Sequence, residues 1–252
     1  MIQRPDWQAL LFVLVGAERH LASAIRHRPD AVVLDLEDAA APSAKAAARI
    51  VLRANQAQLA EAGIDCVLRV NGAIRAMVDD LSAADHSLLH GVMVPKCEDA
   101  HSLRNAADLT DGAIGLIALV ESPAGLQWLV EIAAVPQVIA LMLGAEDYSA
   151  ALGVDPDRGA LDLIAAQLAV AAAARGLIPI GFPGSIANFR DLELYARQIG
   201  RGRDHGMRAV AAIHPTRIPV IRAALAPTEA EVKWADEVLA RLEVGGGGVF
   251  AL

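Results

Sequence analysis

The chain has 252 residues, 55% of them apolar, and a formal net charge of −8. Its length and apolar share exclude a disordered chain and suit one folded unit with a large core. The acidic balance argues against a nucleic-acid partner, which wants clustered Lys and Arg, and leaves open an anionic small molecule, which senses only local charge. In chain order, apolar runs rich in Val, Ile and Leu stand at Leu10–Val15, Ala31–Leu36, Cys66–Val70, Gly91–Pro95, Ile114–Val120, Val138–Leu143, Ile178–Phe182 and Ala209–Ile213. None alternates polar with apolar, which is the pattern of strands buried on both faces. Helical signals fill the gaps. Pro42-Ser-Ala-Lys45 starts an Ala-rich stretch to about Ala62, closed by Gly63, and Ser122-Pro-Ala-Gly125 opens another with Pro in the first turn. Leu161–Arg175 ends at Gly176, a natural capping residue, and Thr228-Glu-Ala-Glu231 begins a last helix with acid in its first turn.

Eight such runs alternating with helices predict parallel strands in an α/β fold, a (β/α)8 TIM barrel over residues 1–244, with a Gly-rich end over 245–252. An open doubly wound sheet fits less well, because Val15-Gly-Ala-Glu18 lacks the GxGxxG spacing. No run of about 18 uncharged apolar residues occurs, so no membrane partner is expected. The N-terminus has no secretory pattern, and Cys66 and Cys97 are two lone thiols without zinc spacing, so a reducing cytoplasm is the expected compartment.

In this fold the chemistry sits where the strands end. The strand ends carry Asp35-Leu-Glu37-Asp38, Arg69-Val-Asn71, Pro95-Lys96, Glu121-Ser122, Gly144-Ala-Glu146-Asp147 and His214-Pro215. Charges placed directly after apolar strands are costly to bury without partners, so their convergence on one rim points to a site. Simpler roles are also open. Asp38 could start a helix, Lys96 could neutralise Glu37, and His214 could be a packed histidine. Glu121 and Asp147, expected at equivalent heights on adjacent strands, would repel unless a cation lay between them, and a hard cation with oxygen ligands points to Mg²⁺. Arg69 would face the same space with a fork suited to a carboxylate or a developing oxyanion. Lys96 as a Schiff-base lysine fits less well, since acidic neighbours keep an ammonium charged.

The runs Leu11-Phe-Val13, Val33-Leu-Asp-Leu-Glu-Asp-Ala39, Leu68-Arg-Val-Asn71, Val94-Pro-Lys96, Val120-Glu-Ser122, Gly144-Ala-Glu-Asp147 and Ile213-His-Pro215 come in the order of the citrate lyase β-subunit-like family. The chain resembles that family, part of the HpcH/HpaI aldolase group of phosphoenolpyruvate-binding barrels, and Pro227–Ala235 is similar to it as well. The resemblance implies a Mg²⁺-dependent carbon–carbon lyase acting on CoA thioesters of short hydroxy-dicarboxylic acids. It implies Glu121 and Asp147 as metal ligands and Arg69 as a substrate-binding and catalytic cation. Glu37 and Asp38 would orient Arg69 and metal-bound waters, and Lys96 and His214 would stand with Glu121 in the substrate site. Homotrimers or hexamers are expected by the same resemblance, as is a lid segment past the glycines, absent or truncated here. Gln8, Leu14 and Ala209-Val210 depart from the family pattern. Two alternatives stay open: a metal-dependent aldolase on free 2-keto acids, and a degenerate barrel that binds a CoA ester without turnover.

Overall fold

A computed structural model describes residues 4–37, 44–188 and 191–245. All eight expected runs form strands, with ends moved by no more than two residues: β1 (Ala9–Leu14), β2 (Ala31–Asp35), β3 (Asp65–Arg69), β4 (Gly91–Val94), β5 (Leu116–Val120), β6 (Val138–Leu143), β7 (Ile178–Ile180) and β8 (Val210–Ala212). The intervening helices are α1 (Glu18–His27), α2 (Lys45–Glu61), α3 (Ile74–Ala83), α4 (His101–Leu109), α5 (Pro123–Gln127), α6 (Leu129–Ala133), α7 (Ala145–Leu152), α8 (Asp162–Arg175), α9 (Leu192–Asp204), α10 (Ile218–Leu225) and α11 (Glu229–Gly245).

The strands are parallel and run in the order β7-β6-β5-β4-β3-β2-β1-β8. The ring closes between the outermost two through a single parallel bridge, Ile180 to Ala209. Gly181 N donates to Ala209 O at 2.8 Å and Arg208 N to Pro179 O at 3.0 Å beside it. The result is a (β/α)8 barrel. Alternate strand residues divide between two cores. Leu10, Val33, Val67, Met93, Ile117, Ala140, Ile180 and Ala209 fill the barrel, and the residues between them pack outward on the helices. Trp7 closes the lower end, its indole N–H bonded to Asp65 at 2.7 Å.

The helix ends follow the expected chemistry. Ser122 caps α5 by accepting from Gly125 N at 3.2 Å, and Pro123 occupies the first turn. Gly176 ends α8 in the left-handed region at φ 62. Thr228 and Glu231 cap α11 reciprocally: Thr228 Oγ1 accepts from Glu231 N, and the Glu231 carboxylate accepts from Thr228 N. Both Glu231 oxygens also accept from one Arg203 nitrogen, Nη2, on α9 at 2.6 Å, which holds the carboxyl down at about 2. Cys66 and Cys97 are free and buried, and burial pushes both thiols up to about 12.

Two expectations change. Asp147 does not stand at a strand end: β6 stops at Leu143 and Asp147 lies in the first turn of α7. Gly245 belongs to α11, and residues 246–252 lie outside the described ones, as does Asp38. No helix among the described residues is long and apolar enough to cross a membrane.

Candidate active site

At the upper end of the barrel the inward face turns polar. Two residues beyond inward Val33 comes Asp35, two beyond Val67 comes Arg69, and two beyond Leu119 comes Glu121. The pleat that packs the interior thus aims these three charges into the mouth. They line a cavity of about 760 Å³ with Phe12, Met142, Asp147 and His214.

Arg69 is held on several sides. Its Nε and Nη2 reach the two Asp35 oxygens at 2.7 and 2.6 Å, and Nη1 lies 3.2 Å from Glu37 Oε2. The guanidinium lies over Phe12, 5.0 Å from the ring centroid. The fork-to-fork pair follows from the sheet, since Asp35 and Arg69 are register partners in β2 and β3. Glu37 lies against one guanidinium nitrogen, and the bidentate partner is Asp35, a strand-end acid to which the sequence assigns no role. The signal was available: both residues end apolar runs that pair side by side.

Glu121 is buried and Asp147 is exposed beside it, so each leans on the other from a different environment. Burial pushes the Glu121 carboxyl up to about 8, helped by the nearby charges of Asp147 and Glu37 and opposed by the Lys96 backbone N–H, which donates to it at 2.7 Å. Lys96 itself adopts φ 51. Its ammonium meets Glu37 Oε1 at 2.8 Å at the rim, the neutralising role weighed in the sequence. Gly144 leaves the space that Glu121 occupies: a Cβ there would lie 2.5 Å from Glu121 Cβ and 2.8 Å from its Oε2. No group of three or more His, Cys, Asp and Glu among the described residues is arranged to hold a metal. The carboxylate pair Glu121 and Asp147 would fit Mg²⁺, which is commonly held by one or two carboxylates and keeps several of its waters.

His214 lines the cavity from the β8 side and is exposed, not packed in the core; its Nδ1 contacts Thr216 Oγ1 at 2.8 Å. The α1 residues His20, Ser23 and His27 form a further wall that sequence reading missed, because two histidines on an ordinary amphipathic helix carry no motif. Glu146 and Ile186 also line the cavity.

The family model described as HpcH/HpaI aldolase/citrate lyase matches residues 8–215. A (3S)-malyl-CoA thioesterase of Cereibacter sphaeroides (strain ATCC 17029 / ATH 2.4.9) is 30% identical over 247 residues, 96% of this chain and 85% of its own length. The crystal structure of CitE from Mycobacterium tuberculosis in complex with magnesium, acetoacetate and coenzyme A superposes with a TM-score of 0.79 at 29% identity, covering 99% of this chain and 92% of that one. The citrate lyase beta subunit from M. tuberculosis complexed with oxaloacetate and magnesium gives a TM-score of 0.75 at 29% identity, covering 90% of this chain and 100% of the other.

Proposed function

Because the chain belongs to the HpcH/HpaI aldolase/citrate lyase family, we propose that it is a Mg²⁺-dependent carbon–carbon lyase cleaving the CoA thioester of a short hydroxy acid of the malyl, citramalyl or citryl type. The observation that carries this reading is the placement of a braced guanidinium, Arg69, and a carboxylate pair, Glu121 and Asp147, around one cavity. Magnesium, acetoacetate, oxaloacetate and coenzyme A in the related structures support it.

Glu121 and Asp147 would hold Mg²⁺, which when bound supplies a Lewis acid and a template for a keto acid's carboxylate and carbonyl. The substrate's hydroxyl gives its proton to solvent, its oxygen's electron pair becomes the keto acid's carbonyl as the bond between the carbinol carbon and the thioester's α-carbon breaks, and the electron pair of that bond forms the thioester enolate. Arg69 stabilises the oxygen on which charge develops. Asp35 and Glu37 keep the fork from swinging, so its orientation is set before substrate arrives. The enolate then takes up a proton to give the shorter acyl-CoA.

Hydrolysis of the thioester is the second reading, favoured by the likeness to a malyl-CoA thioesterase. Product analysis separates the two. Malyl-CoA incubated with enzyme and Mg²⁺ is expected to give glyoxylate and acetyl-CoA; free CoA and malate would make hydrolysis the activity. Cleavage of a free hydroxy acid without CoA would transfer the site to the keto-acid aldolases, and binding without turnover would make it a degenerate barrel. Glu121→Gln and Asp147→Asn are each expected to weaken Mg²⁺ binding at least ~10-fold while the fold persists. Unchanged affinity in both would remove the pair as the metal site.

A further inference from the structure

We propose that Glu146 is a positioning residue that clasps the loop after β7 to α7 and so sets Ile186 as a wall of the substrate cavity. This rests on the reading of that cavity as the substrate site.

Glu146 and Asp147 are neighbours in the first turn of α7. Successive helical residues point about 100° apart, so one turn can serve two walls. Asp147 turns to Glu121, while Glu146 turns to the loop after β7. One Glu146 oxygen accepts from Ser185 Oγ at 2.5 Å and from Ala187 N at 3.2 Å. Ser185 Oγ also accepts from Ala187 N at 3.1 Å, and Ser185 is buried. From the other side Asp157 accepts from Ser185 N at 2.8 Å, from Gln198 Nε2 at 2.6 Å and from Asn188 Nδ2 at 3.4 Å. Gly184 is pressed against Gln198, whose side chain would lie 2.4 Å from a Cβ there. Two carboxylates on separate elements thus grip a segment that has no ladder of its own, with Ile186 between the grips and facing the cavity.

Charge sharpens the inference. The rim already carries Asp35, Glu37, Glu121 and Asp147. A further carboxylate adds repulsion, which its charge-assisted bonds to Ser185 and Ala187 offset. Its cost is understandable if the loop must stay put while substrate enters.

The experiment uses the full chain with Mg²⁺ and malyl-CoA, comparing wild type, Glu146→Gln, Glu146→Ala, Ile186→Ala and the Glu146→Ala/Ile186→Ala double variant. Amide exchange at residues 185–188 is expected to quicken about 10-fold or more in Glu146→Ala and much less in Glu146→Gln, which keeps an acceptor oxygen. KM, or Kd where turnover is absent, is expected to rise about 10-fold in Glu146→Ala, with kcat and Mg²⁺ affinity within about twofold. Ile186→Ala should raise KM similarly, and the double variant should add little, because both changes remove one wall. Unchanged exchange in Glu146→Ala would overturn the clasp. Faster exchange with unchanged KM, or strictly additive effects, would overturn the wall. If wild type neither binds nor cleaves malyl-CoA, the functional reading fails, and exchange still decides the clasp.

Discussion

At the scale of single residues, Arg69 and Glu121 are both ionisable groups pulled away from bulk water, and the protein treats them oppositely. Arg69 is given acids on two sides and stays a cation. Lysine in its place would keep the charge and lose the planar fork that Asp35 holds at 2.6 and 2.7 Å. Arg69→Lys is therefore expected to lower turnover by about 100-fold with little change in Mg²⁺ affinity; near-normal turnover would return Arg69 to a structural role. Glu121 is given mostly like charge and burial, which lift its carboxyl to about 8. Without metal it holds a proton at neutral pH, and a cation bound by Glu121 as proposed would have to displace that proton. Mg²⁺ affinity should rise with pH and level off above about 8, while the melting temperature of chelator-treated protein should fall as pH climbs from 5 to 8. The sign is that of an acid whose folded pKa lies above its unfolded value: the stability is present below about 4.5 and is lost as pH rises through the folded value. Calorimetry showing a flat Mg²⁺ affinity between pH 6 and 8.5 would contradict this.

Secondary-structure elements decide which of these residues meet. The strands were legible because each is buried on both faces and reads as an unbroken apolar run. The charges on them followed, since a charge ending such a run has only the mouth of the barrel to face. Asp147 was legible as a residue of the cavity rim but not in its place: Gly144-Ala-Glu-Asp147 following an apolar run reads as more strand, and only the backbone turn at Gly144, φ −88 and ψ 82, starts the helix. The loop after β7 was illegible, because Gly184, Ser185 and Ile186 announce no chemistry until Glu146 is seen to grip Ser185 and Ala187. Gly144 joins the two levels. A methyl group there would press on Glu121 Cβ, which backbone anchors and no rotamer change relieves. Gly144→Ala is expected to weaken Mg²⁺ binding more than ~10-fold and to lower thermal stability, as overpacking costs about 1–3 kcal/mol. A variant with normal metal affinity would show that β5 and β6 yield more easily than their contacts suggest.

For the whole molecule, pairing is uneven around the ring. β2 shares five register pairs with β1 and five with β3, whereas β8 meets β1 through three pairs and β7 through a single bridge. Hydrogen exchange in dilute urea is expected to open β7 and β8 ahead of β2 and β3; uniform protection around the barrel would refute that order. The narrow joint also bears on how the chain folds. Pairing β8 with β1 closes a loop spanning nearly the whole sequence, so its entropy cost is among the last to be met. A nascent molecule would then pass through an open, trough-shaped intermediate holding β1 to β6, with an unpaired edge on β1. Such an edge is a template for another chain, and the yield of refolding should therefore fall with protein concentration even where the finished barrel remains fully soluble.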